Sequence, residues 1–496
     1  MSKPADISTL SREELIDQVK QFRNQVEQLQ HQVALFQKML FGPRNESFKP
    51  QKEVASNQLS LDISVEPIAE VIVEQTPVKA YDRTKVKLKA RNHPGRQPLP
   101  SSLRREEIII EPAEDVSGCV RLEDEVTEVL EVKAAEFYVK RYVRRKYVRK
   151  ESEGIAIGKL PLRAIEKGIV GASVLAMLII GKFIDHLPIY RQVAIFRRVG
   201  ILLAYNTVVD WTNNGIDVLR PIYDRIVRLV LSSGYLQADE TGMKVLDSEK
   251  KGSAHHGYLW AYRDVVENLV LFEYQRGRNK DAPRQMLKNF KGYLQTDGYA
   301  AYDQFYHRNG IKMLHCMAHA RRYFKEAEDN DKDRSAHALT LFQKIYDIER
   351  EIKNQVSAER VRIRQSQTLP LLNELHIWMT DQYRVVTPRS PIGKALEYAL
   401  KRWKELTLFT TDGQLEIDNN KIENEIRPIA LGRKNYLFAG SHQAAQRIAM
   451  IYTLLASCKA NGIDPLKWLT HVLEELPNRK VSNIDDLLPT KHFSLT

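Results

Sequence analysis

Between Gly234 and Leu314 the chain trades helical periodicity for strands, and this block limits the fold more than any other. Tyr235–Val245, Gly257–Tyr262 and Asn268–Tyr274 are β-rich runs separated by turn residues. A helix-like segment at Asp281–Asn289 follows, then a strand ending at Asp297. Ile311–Leu314 reads as a fifth strand before a helix over Ala318–Ala327. Three antiparallel strands, a crossover helix and two more strands make a mixed five-stranded sheet, so the expected class is multidomain α+β.

Two acids follow strand-like runs in this block: Asp239 on the first strand and Asp297 at the end of the fourth. A third comes from Asp418-Asn419-Asn420-Lys421-Ile422-Glu423-Asn424-Glu425-Ile426-Arg427-Pro428, which reads as a short helix followed by a basic loop to Ser441. Ile422, Ile426 and Ile429 recur at helical spacing and face a core, with Glu423 and Arg427 four apart on the neighbouring face. A capping box, with Asn420 as N-cap and Glu423 reaching back, explains the same residues without any function.

Three acids on three rigid elements suit a hard divalent cation, which takes oxygen ligands and phosphate oxygens together. Asp239, Asp297 and Glu423 can hold two Mg²⁺ (or Mn²⁺) ions about 4 Å apart, Asp239 bridging, the arrangement that serves phosphodiester chemistry. Arg427, Arg433 and Lys434 then stand near the scissile phosphate. Glu240, Glu425 and Asp418 are rival ligands. Cys316 and His319 are spaced like half a zinc site, but no second pair accompanies them; zinc is not expected, and the two are read as supports at the site's edge.

Charge favours a polyanionic partner: 75 Lys+Arg against 63 Asp+Glu gives +12. In Lys140–Lys150 seven of eleven residues are basic, interleaved with aromatic and β-branched side chains. That pattern offers Arg141, Arg144, Arg145, Lys146 and Arg149 to a DNA backbone, and it exceeds the charge needed to protect an edge strand. Lys85 to Pro100 is a second basic segment, extended by its prolines or merely a solvated linker. Residues from about Ile155 to Ser233 read as helices. Within them Ile189–Gly200 and Asn206–Trp211 outline a helix-turn-helix, or equally a helical packing domain.

Leu15, Val19, Phe22, Val26, Leu29, Val33, Phe36 and Leu40 alternate spacings of four and three, the seam of a coiled coil that calls for a partner helix, most simply from a second copy. Three scattered cysteines argue against a disulfide framework, and no signal peptide is read, so a cytoplasmic protein is expected. The longest uncharged apolar run, Gly168–Gly181, is shorter than the ~20 residues of a membrane span. The expected divisions are a coiled coil at 1–45, an acidic linker at 46–82, a basic β-rich region at 83–154 and a helical region at 155–233. A catalytic core at 234–327 and 413–460 is interrupted by a helical insertion at 328–412, and a C-terminal element occupies 461–496.

Several of these residues resemble the transposases of the insertion sequence 66 family. The most specific are Ala238-Asp239-Glu240-Thr241, Thr296-Asp297-Gly298-Tyr299, Cys316-Met317-Ala318-His319-Ala320-Arg321-Arg322, and Glu423-Asn424 through Gly432-Arg433-Lys434-Asn435 to Phe438-Ala439-Gly440-Ser441. Leu40–Glu46 and Asp185–Gln192 resemble the family too. The resemblance implies a ribonuclease-H-like fold with Asp239, Asp297 and Glu423 as metal-binding triad, acting on terminal inverted repeats and target DNA, with small accessory proteins of the same element as further partners. It also implies that strand cleavage frees a 3′-hydroxyl which then joins target DNA. Many members carry a cysteine zinc module after the linker, whereas here Cys119 stands alone and the basic Arg141–Lys150 occupies that place. Two other readings compete: an endonuclease that only cuts, and a coiled-coil DNA-binding repressor or architectural protein whose acids are structural.

Overall fold

The structure, a computed structural model, describes residues 99–494 apart from 100, 102, 113, 115–118, 134–135, 150–154, 167 and 247–252. The heptad seam, the acidic linker and the basic segment before Leu99 lie outside the described residues.

Six short strands come first: β1 (Arg104–Ile110), β2 (Cys119–Arg121), β3 (Glu125–Lys133), β4 (Glu136–Arg144), β5 (Lys146–Arg149) and β6 (Ile155–Ile157). They form two three-stranded sheets, ordered β1-β4-β3 and β2-β5-β6. The basic run expected as one strand is thus two, broken at Arg145, and each half is the middle strand of its sheet rather than an edge. The region expected to be helical from Ile155 also opens with a strand, because β6 pairs with β5.

Four helices follow: α1 (Ala172–Phe183), α2 (Ile189–Arg198), α3 (Tyr205–Val218) and α4 (Arg220–Leu231). α1 buries Val174, Leu175, Ala176, Leu178 and Ile179 completely, as its uninterrupted apolar sequence requires. α4 is amphipathic, with Ile222, Ile226 and Val230 one turn apart and fully buried.

The central sheet contains β7 (Tyr235–Leu246), β8 (Ala254–Asp264), β9 (Leu269–Gln275), β10 (Gly292–Thr296) and β11 (Ile311–His315), with α5 (Asp281–Met286) between β9 and β10. Its order is β11-β10-β7-β8-β9; the first three strands of the sequence are antiparallel, while β10 runs parallel to both β7 and β11. This is the mixed five-stranded sheet the turn spacing predicts.

From β11 the chain enters α6 (Met317–Glu326) and then α7 (Lys332–Glu351), α8 (Ser357–Ile363), α9 (Leu369–Tyr383), α10 (Pro391–Lys401) and α11 (Trp403–Thr407). These helices share a core of Phe324, Phe342, Ile345, Leu372, Leu375 and Leu396 that reaches Leu314 on β11. Each such aromatic or aliphatic side chain contributes about 1.5–3 kcal/mol by leaving water. Fully buried Arg364 ties the insertion to the returning chain: it pairs with both Glu349 oxygens (2.8 and 2.7 Å) and donates to the carbonyls of Phe409, Asp412 and Leu415 (2.8, 3.0 and 3.0 Å).

The chain closes with α12 (Asn420–Tyr436), α13 (His442–Ala460) and α14 (Pro465–Glu475). α13 lies along β9: Thr453 and Ser457 hydroxyls accept from the Phe272 and Val270 amides (2.8 and 3.0 Å), so the outer edge of the sheet is covered by helix side chains. α12 corrects the expected short helix and loop. It is one 17-residue helix that runs through Pro428. An internal proline costs about 3 kcal/mol, offset here by burial of Ile422, Ile426 and Ile429.

Candidate active site

β7 and β10 are parallel and in register, Tyr293 opposite Tyr235 and Gln295 opposite Gln237. Two residues further along each strand come Asp239 and Asp297, so parallel pairing sets the two acids level. Asp239 accepts from the Glu240 amide (2.7 Å). Asp297 lies just past β10, where its carboxylate accepts from the Tyr299 amide (2.9 Å) and its carbonyl from the Tyr398 hydroxyl of α10 (2.6 Å). Gly298 makes that turn at φ +85°, and a β-carbon there would stand 2.7 Å from Arg402 Nε, which leaves glycine as the residue that fits.

Glu423 arrives on the first turn of α12. Buried Gln237 and Gln295, each two residues before its acid, hold the approach: they donate to the carbonyls of Asp418 and Glu416 (2.9 Å each) and Gln237 also donates to Gln295 (2.9 Å). The Tyr235 hydroxyl donates to Gln295 (2.6 Å) and accepts from the Glu416 amide (3.1 Å). These glutamines escape a reading based on single acids, although the repeated Leu236-Gln237-Ala238-Asp239 and Leu294-Gln295-Thr296-Asp297 is the signal for them.

The charges of the other acids reach Asp239. The Asp239 carboxyl is pushed up to about 8 by its burial and then by the charges of Asp297, Glu240 and Glu423. The rivals are otherwise occupied. Glu240 pairs with Arg278 (2.5 Å), Glu425 forms a buried pair with Arg263 (2.9 Å), and Asp418 accepts from Tyr346 (3.0 Å) and Asn420 (3.1 Å). The capping-box reading does not hold either: the N-cap is Asn419, it makes no side-chain cap bond, and Glu423 faces His319 and Arg322 at 3.7 Å each. Burial keeps the His319 imidazole below its usual range, against the pull of Glu423 and Asp297.

The basic residues divide. Arg427 and Lys434 are exposed on α12, four and eleven residues on from Glu423, and so continue its face. Arg433 is engaged within the fold, donating to Thr241 Oγ1 (3.0 Å) and to the Gly242 carbonyl of β7. On the small sheets Arg141 pairs with Glu107 (3.1 Å), Arg144 and Lys146 with Glu125, and Arg145 with Glu111. The side chain of Arg149 lies outside the described residues. Cys316 is buried directly before α6, and His319 is on that helix's first turn.

Among the described residues no helix is long and apolar enough to cross a membrane. Residues 167–447 match the description "Transposase IS66 family", 453–490 match "IS66 C-terminal element", and 28–108 match "Transposase C of IS166 homeodomain". Similar proteins come from Sinorhizobium fredii (strain NBRC 101917 / NGR234). The uncharacterized protein y4jD is 29% identical over 97% of this chain and 98% of its own length. The uncharacterized protein y4hP is 30% identical over 80% of this chain and 77% of its own. With more than half of its length matched by the family description, the chain belongs to the IS66 transposase family.

Proposed function

We propose that the protein cleaves DNA at the ends of an insertion sequence and joins the freed 3′-hydroxyl to target DNA, with Asp239, Asp297 and Glu423 as a metal-binding triad on a ribonuclease-H-like sheet. The observation that carries this reading is the parallel, in-register pairing of β7 with β10, which sets Asp239 level with Asp297, supported by an Asp239 carboxyl raised by burial and then by the neighbouring acids. The residues fit Mg²⁺ or Mn²⁺: all three donors are carboxylates, and Glu423 Oε1 is buried without a hydrogen-bond partner. Such ions, when bound, polarise a phosphodiester and activate its attacking oxygen.

The protein's own part is placement. Gln237, Gln295 and the Arg364 clamp fix the segment that delivers Glu423, while the exposed Arg427 and Lys434 line a path for the DNA backbone beside it. His319 and the Arg322 guanidinium flank Glu423 at 3.7 Å each. The first step hydrolyses one strand and leaves a 3′-hydroxyl; in the second, that hydroxyl displaces a 3′-oxygen of a target phosphodiester. Neither step requires a covalent bond to protein. DNA contact by Arg141, Arg144, Arg145 and Lys146 requires exchange of their glutamate partners, so we assign them the weaker share. The heptad seam at Leu15–Leu40 is assigned to dimerisation.

The test is a labelled duplex carrying the element's end, incubated with and without Mg²⁺ or Mn²⁺. Metal-dependent nicks with 3′-hydroxyl ends, lost in Glu423→Gln, are expected. Binding that survives Asp239→Ala, with no cleavage in either metal, would favour the architectural reading. Nicking without joined products would favour a simple endonuclease.

A further inference from the structure

Cys316 and His319 occupy the start of α6, and α12 brings a third donor to the same point. Cys316 Sγ, a His319 ring nitrogen and a Glu423 carboxylate oxygen all lie within 4.8 Å of one another. His319 Nδ1 faces Glu423 Oε1 at 3.7 Å, and both atoms are buried with no hydrogen-bond partner. Buried polar atoms left unsatisfied are costly, and a cation between them removes that cost.

The donor set defines the ion. Thiolate, imidazole and carboxylate together suit a borderline cation of the zinc class rather than Mg²⁺. Bonds of about 2.0–2.3 Å place tetrahedral donors roughly 3.3–3.8 Å apart; His319 Nδ1 and Glu423 Oε1 already stand at 3.7 Å, and no pair of the three lies beyond 4.8 Å, within the reach of side-chain rotation. We infer that Cys316, His319 and Glu423 form a three-ligand site for one zinc-class divalent cation, open at its fourth position and sharing Glu423 with the triad. Binding converts the Cys316 thiol to a thiolate and releases one proton to solvent. An ion held there draws Glu423 toward α6 and away from Asp239 and Asp297, so zinc-class ions oppose the hard-ion centre.

This site rests on three side chains and not on the cleavage reaction, so a binding measurement separates the two. The full, metal-stripped chain without DNA is titrated with Co²⁺, reading thiolate-to-metal charge transfer and the intense visible bands of four-coordinate cobalt. One equivalent is expected to saturate the signal. The charge-transfer band should vanish in Cys316→Ser and persist in Cys119→Ser. His319→Gln and Glu423→Gln should weaken affinity by at least about 10-fold. Glu423→Gln preserves volume and so keeps the test valid if replacement of buried Cys316 unfolds the chain. Absence of a band, its persistence in Cys316→Ser, or wild-type affinity in both Gln variants overturns the assignment.

Discussion

The triad and the Arg364 clamp both bury charge, and they do so in opposite ways. Arg364 is wholly enclosed with Glu349 and three carbonyls around its guanidinium, so its charge is answered within the protein. Asp239 has a backbone amide as its hydrogen-bond donor, and its neighbours Asp297, Glu240 and Glu423 add negative charge. The clamp spends its electrostatics on holding the insertion against the returning chain. At Asp239 the carboxylates that bear on it are of its own sign, an arrangement more frequent at functional sites than in structural ion pairs.

Cleavage is where the contrast breaks most visibly. Asp297→Asn should reduce strand nicking by at least about 10³-fold, with DNA affinity near wild type in a filter-binding assay; a variant that still nicks would remove Asp297 from the chemistry. Next in size is Arg364→Met, which removes both hydrogen bonds to buried Glu349, leaves it only Arg360 at 3.7 Å, and should cost about 3–5 kcal/mol in a denaturant titration. Adding Glu349→Leu should recover most of that loss, since what is expensive is one buried charge without the other. A smaller effect is expected from Gln295→Ala: loss of its hydrogen bonds costs roughly 1–3 kcal/mol, and displacement of the Glu423 segment should slow cleavage by about 10²-fold. Least affected should be Arg145→Ala, whose partnership with Glu111 is exposed to solvent and screened by it. A steep fall in the salt dependence of DNA binding in that variant would instead give the small sheets the larger share of the DNA.

Local patterns made much of this legible. Turn residues between β-rich runs give the five strands, and the isoleucine spacing in α12 gives its buried face. The acids could be chosen because each sits on a rigid element. Long-range pairing was not legible. Nothing local to Arg141 or Arg145 announces Glu107 or Glu111 on neighbouring segments, so a neutralised sheet reads as a free basic strand. Nor does the spacing of Cys316 and His319 reveal that a distant helix supplies Glu423 beside them. Pro428 misleads for a different reason: proline usually ends a helix, but burial on both sides of it carries α12 through.

The raised Asp239 carboxyl has a direct thermodynamic consequence. A carboxyl raised from 3.8 to about 8 stabilises the fold fully below the unfolded value, and that contribution is lost as pH rises toward about 8. Glu273, raised to about 7 by burial, acts in the same direction and is removed by working in a Glu273→Gln background. The measurement is the unfolding free energy of the metal-free chain between about pH 5 and 8, compared with Asp239→Asn, and repeated with Mn²⁺. The account predicts that stability falls with pH in the parent, falls less in Asp239→Asn, and is restored by Mn²⁺ in the parent alone. Parallel pH curves, with equal stabilisation of both proteins by Mn²⁺, would contradict it.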